Sequence, residues 1–539
     1  MSYDKKMNVL NIYIKDLFKK IGIIKILLYC MVMLLYYSLF SLQPYFLPRI
    51  YESTVEGKYK LNYIYLLLTF VTFMSTSMMN YPNNYFLQCI RKYTKQLIWE
   101  RNKEKNYSYF INKEVGNIQN LISEISRSVR NIQYEIIQVI IKSFVMIIIY
   151  TVLLYSYSTI LSVSYAVSYL IFFLMSCLLS KENKKGIKEV LRSSSKINAY
   201  TIDYYKNIDT IITNKSFGLE NSIYDKLLDD EKASYYNLQK KIDNSHLLQQ
   251  VILTVITLML LIMKAYFKKN SVADISFLLI LIYSAFNLSS FGKAFLSLLE
   301  YKDRIKVALE MLEYGKSDKT SFRNFKEISD DKAPCIQLVN LSFSYNDKPV
   351  IKNINLSINN KDKIAIIGKN GSGKSTLLKL IAGLLTNYQG EIIWNKKSNL
   401  DFNEIRYYSQ SANLFDRSIY ENMIYPKESY PIEEVKKLVK KLNLNSLVTN
   451  EEDLLNKTPG DFGAKFSGGE KQKILIARAI VNKAPIVLFD EITASLDKQT
   501  DTLFAQILDE YFEDSIVICA THKKVGIETF NKVYDLDAK

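Results

Sequence analysis

The residues with the clearest chemistry form one glycine-rich stretch, Gly368-Lys369-Asn370-Gly371-Ser372-Gly373-Lys374-Ser375-Thr376. It follows an apolar run from Lys363 to Ile367, a predicted strand, and precedes a predicted helix over Leu377 to Leu384. This order is that of a P-loop, because glycines let backbone N–H groups close around an anion and the helix N-terminus adds partial positive charge. We expect Lys374 to reach the β- and γ-phosphates of a nucleotide and the Ser375 hydroxyl to hold Mg²⁺.

Two later segments carry groups suited to the same phosphate chemistry. Asp490 and Glu491 end an apolar run that starts at Ile486, which predicts a buried strand with two carboxylates at its C-terminal end. One carboxylate there can hold Mg²⁺, and its neighbour can position and polarise the attacking water. The segment from Lys465 to Gln472 opens another predicted helix, and it contains Ser467-Gly468-Gly469-Glu470.

The motif order ends with Ser495-Leu496-Asp497 and with His522, and in this order the sequence resembles the ABC ATPase family. The resemblance implies ATP and Mg²⁺ as ligands, with Glu491 as general base, His522 as the switch histidine and Gln410 as the Q-loop glutamine. The implied Mg²⁺ ligands are Ser375, Gln410 and Asp490. The implied nucleotide-binding residues are Tyr345, which would stack on adenine, Gly368, Asn370, Gly371, Ser372, Gly373, Lys374, Ser375, Thr376, Ser467, Gly468, Gly469 and Asp497.

The Ser467-Gly468-Gly469 stretch resembles the signature loop of that family, which caps the γ-phosphate of ATP held by a second subunit. The implied partner is therefore a second copy of this chain, with a heterodimer as the alternative. Glu470 replaces the usual glutamine, and Phe462 replaces the usual arginine of an exporter-specific loop over Lys457 to Gly463. We expect Glu470 to change the affinity for the partner's nucleotide and Phe462 to change the contact with coupling helices.

Plainer interpretations are open for three of these side chains. Tyr345 is also explained as an ordinary strand aromatic, and Gln410 as an ordinary polar loop residue. His522 is also explained as a structural histidine, the role that we expect for His246.

Long apolar runs fill the first part of the chain and predict six membrane spans. The spans are Ile21 to Leu42, Leu61 to Tyr81, Ile136 to Tyr155, Thr159 to Leu179, Leu248 to Met263 and Ile275 to Phe291. The fifth is the shortest, and a buried soluble helix is the alternative there. No signal peptide is expected, since the first run is too long and lacks a small-residue cleavage site.

The net charge of +16 fits this membrane topology. The basic residues are spread along helices beside the spans, and the positive-inside rule places them and both termini in the cytoplasm. A nucleic-acid-binding protein is the alternative for so basic a chain, but this spread argues against it, so no nucleic-acid partner is expected. The five cysteines are dispersed, which argues against a disulfide framework or a metal cluster.

The predicted fold is multi-domain. An all-α six-helix transmembrane domain covers residues 1–316, a polar linker covers 317–333, and an α/β P-loop ABC ATPase domain covers 334–539. This layout resembles the half-size ABC exporters of type I exporter, or type IV, architecture. It is similar to bacterial peptide or lantibiotic exporters without a peptidase domain, because no region that could house one precedes the first span.

The resemblance implies ATP hydrolysis coupled to export by alternating access across a bacterial cytoplasmic membrane, in contact with its lipids. We expect a peptide cargo, ribosomally made and modified peptides included. The alternatives are a multidrug or lipid exporter, an importer built on the exporter fold, and an ATPase sensor or docking subunit of a membrane complex. Glu135 and Lys142 lie two α-helical turns apart, so we expect them on one face, lining a cavity; a salt bridge between neighbouring helices, or a span boundary drawn too early, is the alternative.

Overall fold

The computed structural model describes residues 9–57, 59–103, 105–111, 115–156, 158–179, 184–265, 271–314, 325–330, 333–345, 348–395, 405–409, 414–460, 465–492, 498–521 and 529–537. The chain divides into two compact units. The first comprises Met1–Lys105 and Tyr109–Ser317, and the second comprises Asn106–Ser108 and Asp318–Lys539.

The helices that precede the second unit's sheets follow the apolar and amphipathic patterns of the sequence. They are α1 (Val9–Ile21), α2 (Ile23–Phe40), α3 (Gln43–Val55), α4 (Tyr59–Met78), α5 (Asn80–Asn102), α6 (Tyr107–Ile111), α7 (Val115–Tyr134), a π-helix (Glu135–Ile141), α8 (Lys142–Tyr155), α9 (Thr159–Leu179), α10 (Lys184–Lys206), α11 (Ile208–Asn214), α12 (Phe217–Ala265) and α13 (Ser271–Met311).

Six helical segments of the described residues are long and apolar enough to cross a membrane, in agreement with the predicted count. They are Ile23–Val55, Asn62–Asn102, Ile118–Tyr155, Thr159–Leu178, Phe217–Ala265 and Asp274–Met311. Each contains a predicted apolar run or most of it, but polar residues continue several helices beyond that run. The helix of the fifth span, α12, has 49 residues.

The first span begins at Ile23, two residues later than predicted, because of one glycine. Gly22 has φ +89° and separates α1 from α2. α1 is amphipathic and buries Leu10, Tyr13 and Leu17 at helical spacing. Its Asp16 accepts hydrogen bonds from Arg101 at 2.9 Å and from the Tyr314 hydroxyl at 3.0 Å. These bonds join α1 to α5 and to the turn after α13.

The prediction that Glu135 and Lys142 lie on one helix face is wrong. Residues Glu135–Ile141 form a π-helix, whose i→i+5 bonding gives a wider turn than an α-helix, so seven positions no longer complete two turns. The Lys142 ammonium lies 4.7 Å from the ring centroid of Phe40. Glu135 lies in the π-helix, which packs against α13. The two residues therefore have different neighbours.

The second unit contains two sheets. Its strands are β1 (Lys326–Ile328), β2 (Ile336–Tyr345), β3 (Lys348–Ile358), β4 (Lys363–Ile367), β5 (Gln389–Asn395), β6 (Ile405–Tyr408), β7 (Ile486–Asp490), β8 (Ile516–Ala520) and β9 (Lys532–Asp535). Its helices are α14 (Lys374–Ile381), α15 (Ile419–Ile424), α16 (Ile432–Lys441), α17 (Glu451–Asn456), α18 (Gly468–Val481) and α19 (Lys498–Tyr511).

The larger sheet positions the predicted chemistry. It has the order β6-β7-β8-β4-β9, and every neighbouring pair is parallel. The strands β7 and β8 are buried throughout, as their continuous apolar sequences predict for a parallel sheet covered on both faces. In such a sheet, ligands bind beyond the carboxyl ends of the strands. The glycine-rich loop follows β4 at this edge, and Asp490 ends β7 there. The smaller sheet has the order β1-β5-β2-β3.

Candidate nucleotide-binding site

The glycine-rich loop joins β4 to α14 and surrounds the head of Lys374. The Lys374 ammonium donates to the carbonyl oxygens of Gly368 at 2.9 Å and Lys369 at 3.0 Å. The side chain is only 4% exposed. The helix begins at Lys374, three residues before the predicted start, because Gly373 with φ +98° is its N-cap. The prediction took the first apolar residue, Leu377, as the start and so missed the polar first turn.

Two glycines of the loop occupy places where a side chain would collide. A Cβ at Gly373 would lie 2.7 Å from Ile351 Cδ1, and the backbone there is left-handed. A Cβ at Gly368 would lie 2.6 Å from Ser372 Oγ. The loop therefore keeps its shape only with glycine at these positions, which leaves its N–H groups free of side-chain bulk.

Asp490, at the end of β7, accepts hydrogen bonds from two hydroxyl groups. Ser375 Oγ donates to its Oδ1 at 2.8 Å, and the Tyr407 hydroxyl donates to its Oδ2 at 2.7 Å. The carboxylate is buried, with 3% exposure. Burial and the neighbouring Asp490 charge raise the pKa of the Tyr407 hydroxyl well above its usual range, so the group is a hydrogen-bond donor at neutral pH.

Glu491 follows β7 in an uncommon backbone conformation. Its φ is +51°, and its N–H donates to the Ala520 carbonyl of β8 at 3.0 Å. Its Oε1 lies 3.8 Å from the Lys374 ammonium, and the side chain is 15% exposed. The turn thus directs this carboxylate toward the glycine-rich loop instead of along the strand.

A pocket of about 410 Å³ lies over these groups. Its described lining residues are Val350, Asn370, Gly371, Gly373, Lys374, Ser375, Thr376 and Glu491. A polyphosphate fits this lining, because the buried lysine and the N-terminus of α14 both favour an anion. Among the described side chains, Ser372 Oγ in the loop is a buried hydroxyl without a hydrogen-bond partner, which an anion would supply.

Comparisons with known proteins agree with this geometry. Residues 351–494 match the family model described as ABC transporter. The solved structure of a bacterial Atm1-family ABC exporter with ATP bound superposes with a TM-score of 0.77, at 16% identity, over 95% of this chain and 93% of that one. The chain has the ABC exporter fold. The predicted fold class, an α-helical six-span domain followed by an α/β ABC ATPase domain, is thereby confirmed.

Curated relatives resemble part of the chain. The ATP-dependent lipid A-core flippase of Francisella tularensis subsp. holarctica (strain OSU18) is 28% identical over 234 residues, which are 42% of this chain and 38% of that protein. The glutathione/L-cysteine transport system ATP-binding/permease protein CydC of Haemophilus influenzae is 30% identical over 223 residues, 40% of this chain and 39% of that protein. The chain thus spans about two fifths of the length of these relatives.

The donor set of this ABC ATPase domain suits Mg²⁺. Ser375 and Asp490 supply oxygen atoms 2.8 Å apart, and Mg²⁺ prefers oxygen ligands at one or two carboxylates together with substrate phosphates. The described residues contain no group of three or more His, Cys, Asp or Glu that could hold a metal alone. A metal here would accordingly depend on phosphate oxygens as further ligands.

The predicted signature loop begins α18 with a capping box. Ser467 Oγ accepts from the Glu470 N–H at 3.3 Å, and Glu470 Oε2 accepts from the Ser467 N–H at 2.7 Å and from its hydroxyl at 2.8 Å. Both residues lie outside the described lining of the pocket. Glu470 is therefore hydrogen-bonded to Ser467, the serine of the predicted signature loop.

The other predicted site residues divide into two groups. Tyr345 ends β2, is 39% exposed, packs edge-on against Phe343 with ring centroids 4.8 Å apart, and is not among the described residues that line the pocket. Gln410, Asp497 and His522 lie outside the described residues, as does Phe462.

Sequence reasoning missed Tyr407. The residue lies three positions before Gln410 in a predicted strand, but nothing in the sequence indicates that β6 is the neighbour of β7. The pairing of β6 with β7, which only the structure shows, brings this tyrosine hydroxyl to the Asp490 carboxylate.

Proposed function

We propose that the chain is an ATP-driven exporter that works by alternating access in a cytoplasmic membrane, as a dimer with a second copy of itself. The observation that carries the proposal is the pocket lined by Lys374, Ser375 and Glu491, in a chain with six candidate spans and the ABC exporter fold. The pocket supplies the chemistry of ATP hydrolysis, and the spans supply a route for cargo.

The proposal gives roles to Lys374, Ser375 and Glu491 of the pocket and to Asp490 beside it. Lys374 binds the β- and γ-phosphates, and Ser375 with Asp490 holds Mg²⁺. When bound, Mg²⁺ neutralises phosphate charge. Glu491 accepts the proton of the attacking water, since its carboxylate lies beside Lys374 and reaches the pocket. Gln410, His522, Asp497 and Tyr345 keep the family roles as predictions.

The second copy completes the site in this proposal. Ser467 and Gly468 are exposed to solvent at the N-terminus of α18, a helix of 14 residues. The N-terminus of a helix attracts phosphate. We assign this end to the ATP held by the partner, so that a closed dimer contains two composite sites. Export, homodimerisation and the cytoplasmic position of the ATPase unit belong to the same proposal.

A peptide is the proposed cargo. The chain has 40 tyrosines and 27 phenylalanines, many of them in the candidate spans, and aromatic side chains of this kind suit amphipathic peptides through dispersed contacts. A lipid is the second candidate, because one relative is named a lipid A-core flippase. A cationic drug is the third candidate, and Glu135 tests it, since a half-buried carboxylate in a span could select a cation.

The test compares candidate cargoes on the full chain in lipid nanodiscs and inverted membrane vesicles. Amphipathic peptides, lipids and cationic drugs are scored for stimulation of ATP hydrolysis and for uptake, with Glu491→Gln as the inactive control. We expect peptides to stimulate hydrolysis and to enter the vesicles, and Glu135→Gln to leave both unchanged. Uptake of drugs alone, lost in Glu135→Gln, would contradict the peptide assignment. The lack of any ATP-dependent uptake would contradict export itself.

A further inference from the structure

The Tyr407 hydroxyl holds one side of the carboxylate that faces the proposed Mg²⁺ site. It donates to Asp490 Oδ2 at 2.7 Å, while Ser375 Oγ donates to Oδ1 at 2.8 Å. Each oxygen of the buried carboxylate therefore has its own donor. Both donors are neutral hydroxyl groups, so the Asp490 charge is retained for a cation.

The sheet explains why a residue so distant in sequence reaches this carboxylate. β6 and β7 are parallel, and Tyr407 is in register with Leu488. Side chains alternate along a strand, so Asp490, two residues after Leu488, lies on the same sheet face as Tyr407. Tyr408 points to the opposite face, where it stacks on Phe489 with ring centroids 5.6 Å apart. The sequence thus places two adjacent tyrosines in different environments.

The two donors restrict the carboxylate more than one could. The terminal torsion of an aspartate is broad, and a carboxylate held at one oxygen can still turn about it. A second donor on the other oxygen fixes the carboxylate plane and leaves Oδ1 directed at the Ser375 hydroxyl. Metal sites depend on such orienting partners, whose removal commonly costs about 10- to 100-fold in metal affinity or activity.

We propose that Tyr407 is a positioning residue that orients Asp490 for Mg²⁺ held with the nucleotide. The inference rests on the proposed ATP-driven function. Tyr407 itself contacts neither metal nor phosphate in this assignment. Its removal should weaken the effect of Mg²⁺ on nucleotide binding while leaving the contacts of the phosphates with Lys374 and the loop intact.

The experiment measures binding of a fluorescent ATP analogue to the full chain in nanodiscs, first in EDTA and then over a Mg²⁺ titration. Tyr407→Phe deletes only the hydroxyl. We expect its affinity in EDTA to stay within twofold of the wild type and the Mg²⁺ concentration at half-maximal effect to rise at least fivefold. Tyr408→Phe is the matched control, since it makes the same change one residue away on the other sheet face, and it should match the wild type in both measurements.

The outcomes separate this inference from the proposed function. If the wild-type chain binds no nucleotide under either condition, the proposed function fails. If the wild type binds and Tyr407→Phe has an unchanged Mg²⁺ titration, Tyr407 does not position Asp490. An equal loss of affinity in EDTA and in Mg²⁺ also overturns the inference, because a purely structural role predicts that result. Thermal unfolding of each variant shows whether such an equal loss comes from unfolding.

Discussion

Glu491 combines a proposed catalytic carboxylate with a strained backbone, and three substitutions separate the two. Its φ of +51° lies in the left-handed region, which costs a residue with a Cβ about 1–2 kcal/mol. Glu491→Gln keeps the backbone and removes the proton acceptor. Glu491→Ala and Glu491→Gly both remove the side-chain carboxylate and the contact with Lys374, and they differ from each other only by the Cβ.

The expected sizes follow from these differences. A general base contributes about 10²- to 10⁴-fold, so Glu491→Gln should slow hydrolysis by about 10² or more while ATP still binds through Lys374. At ordinary positions glycine is about 0.5–1 kcal/mol less stable than alanine. Here the order should reverse, with Glu491→Gly more stable than Glu491→Ala by about 1 kcal/mol, because glycine adopts this φ without a steric cost. For a domain of this size that is about 2–4 °C in Tm.

Two measurements check these expectations. ATP hydrolysis and nucleotide binding are followed in nanodiscs. Unfolding of the ATPase unit is followed by the fluorescence of Trp394, which is buried in its core, in a Trp99→Phe background that removes the other tryptophan. Hydrolysis by Glu491→Gln at more than a tenth of the wild-type rate would refute the base assignment. A higher melting temperature for Glu491→Ala than for Glu491→Gly would refute the inferred backbone strain at residue 491.

Three further predictions concern the loop and the dimer. Gly373→Ala should destabilise the ATPase unit by about 1–2 kcal/mol, since its Cβ would meet Ile351 Cδ1 at 2.7 Å in a left-handed backbone; an unchanged melting temperature would contradict this. Glu470→Gln keeps the capping box and removes a negative charge beside the proposed partner phosphate. The MgATP concentration at half-saturation should therefore fall about threefold, and a rise in that concentration would contradict this prediction. A Ser467→Arg variant and a Lys374→Ala variant should each be inactive alone. A mixture of the two should regain hydrolysis, which a site complete within one chain would not allow.

The loop and the carboxylate strand could be predicted because their chemistry requires fixed residue types at consecutive positions. Lys374 and Ser375 are adjacent in sequence, and Asp490 ends an uninterrupted apolar strand. The parallel sheet then brings them together, with Ser375 Oγ and Asp490 Oδ1 at 2.8 Å. Such local patterns can be recognised in the sequence because each depends on a single turn or a single strand.

Tyr407 could not be predicted for the converse reason. Its contact with Asp490 spans 83 positions of sequence and depends on which strands are neighbours. Strand order follows from packing over the whole unit, and a single sequence gives no measure of it. Tyr345 stays a prediction, since the described pocket lining does not include it.

In the helical unit, too, some features could be predicted from the sequence and others could not. Apolar composition predicts six spans because the bilayer requires about 20 apolar residues for each. Composition does not predict hydrogen-bonding pattern, so the π-helix of Glu135–Ile141 and its effect on Lys142 appear only in the structure. Nor does an apolar run mark the ends of a helix, as the 49 residues of Phe217–Ala265 show.

The charges of the ATP site suggest how binding and hydrolysis are linked. Lys374 is buried, and its ammonium is shared between two carbonyl oxygens and the Glu491 carboxylate at 3.8 Å. Phosphates that bind in the pocket offer this lysine a stronger partner than the two carbonyl oxygens, because phosphate oxygens carry formal negative charge and carbonyl oxygens do not. The attraction between Lys374 and Glu491 then weakens, which links nucleotide binding to the carboxylate proposed for hydrolysis. On this reasoning Lys374→Ala should weaken nucleotide binding and also remove the contact between Lys374 and Glu491, whereas Glu491→Gln should affect hydrolysis and spare binding.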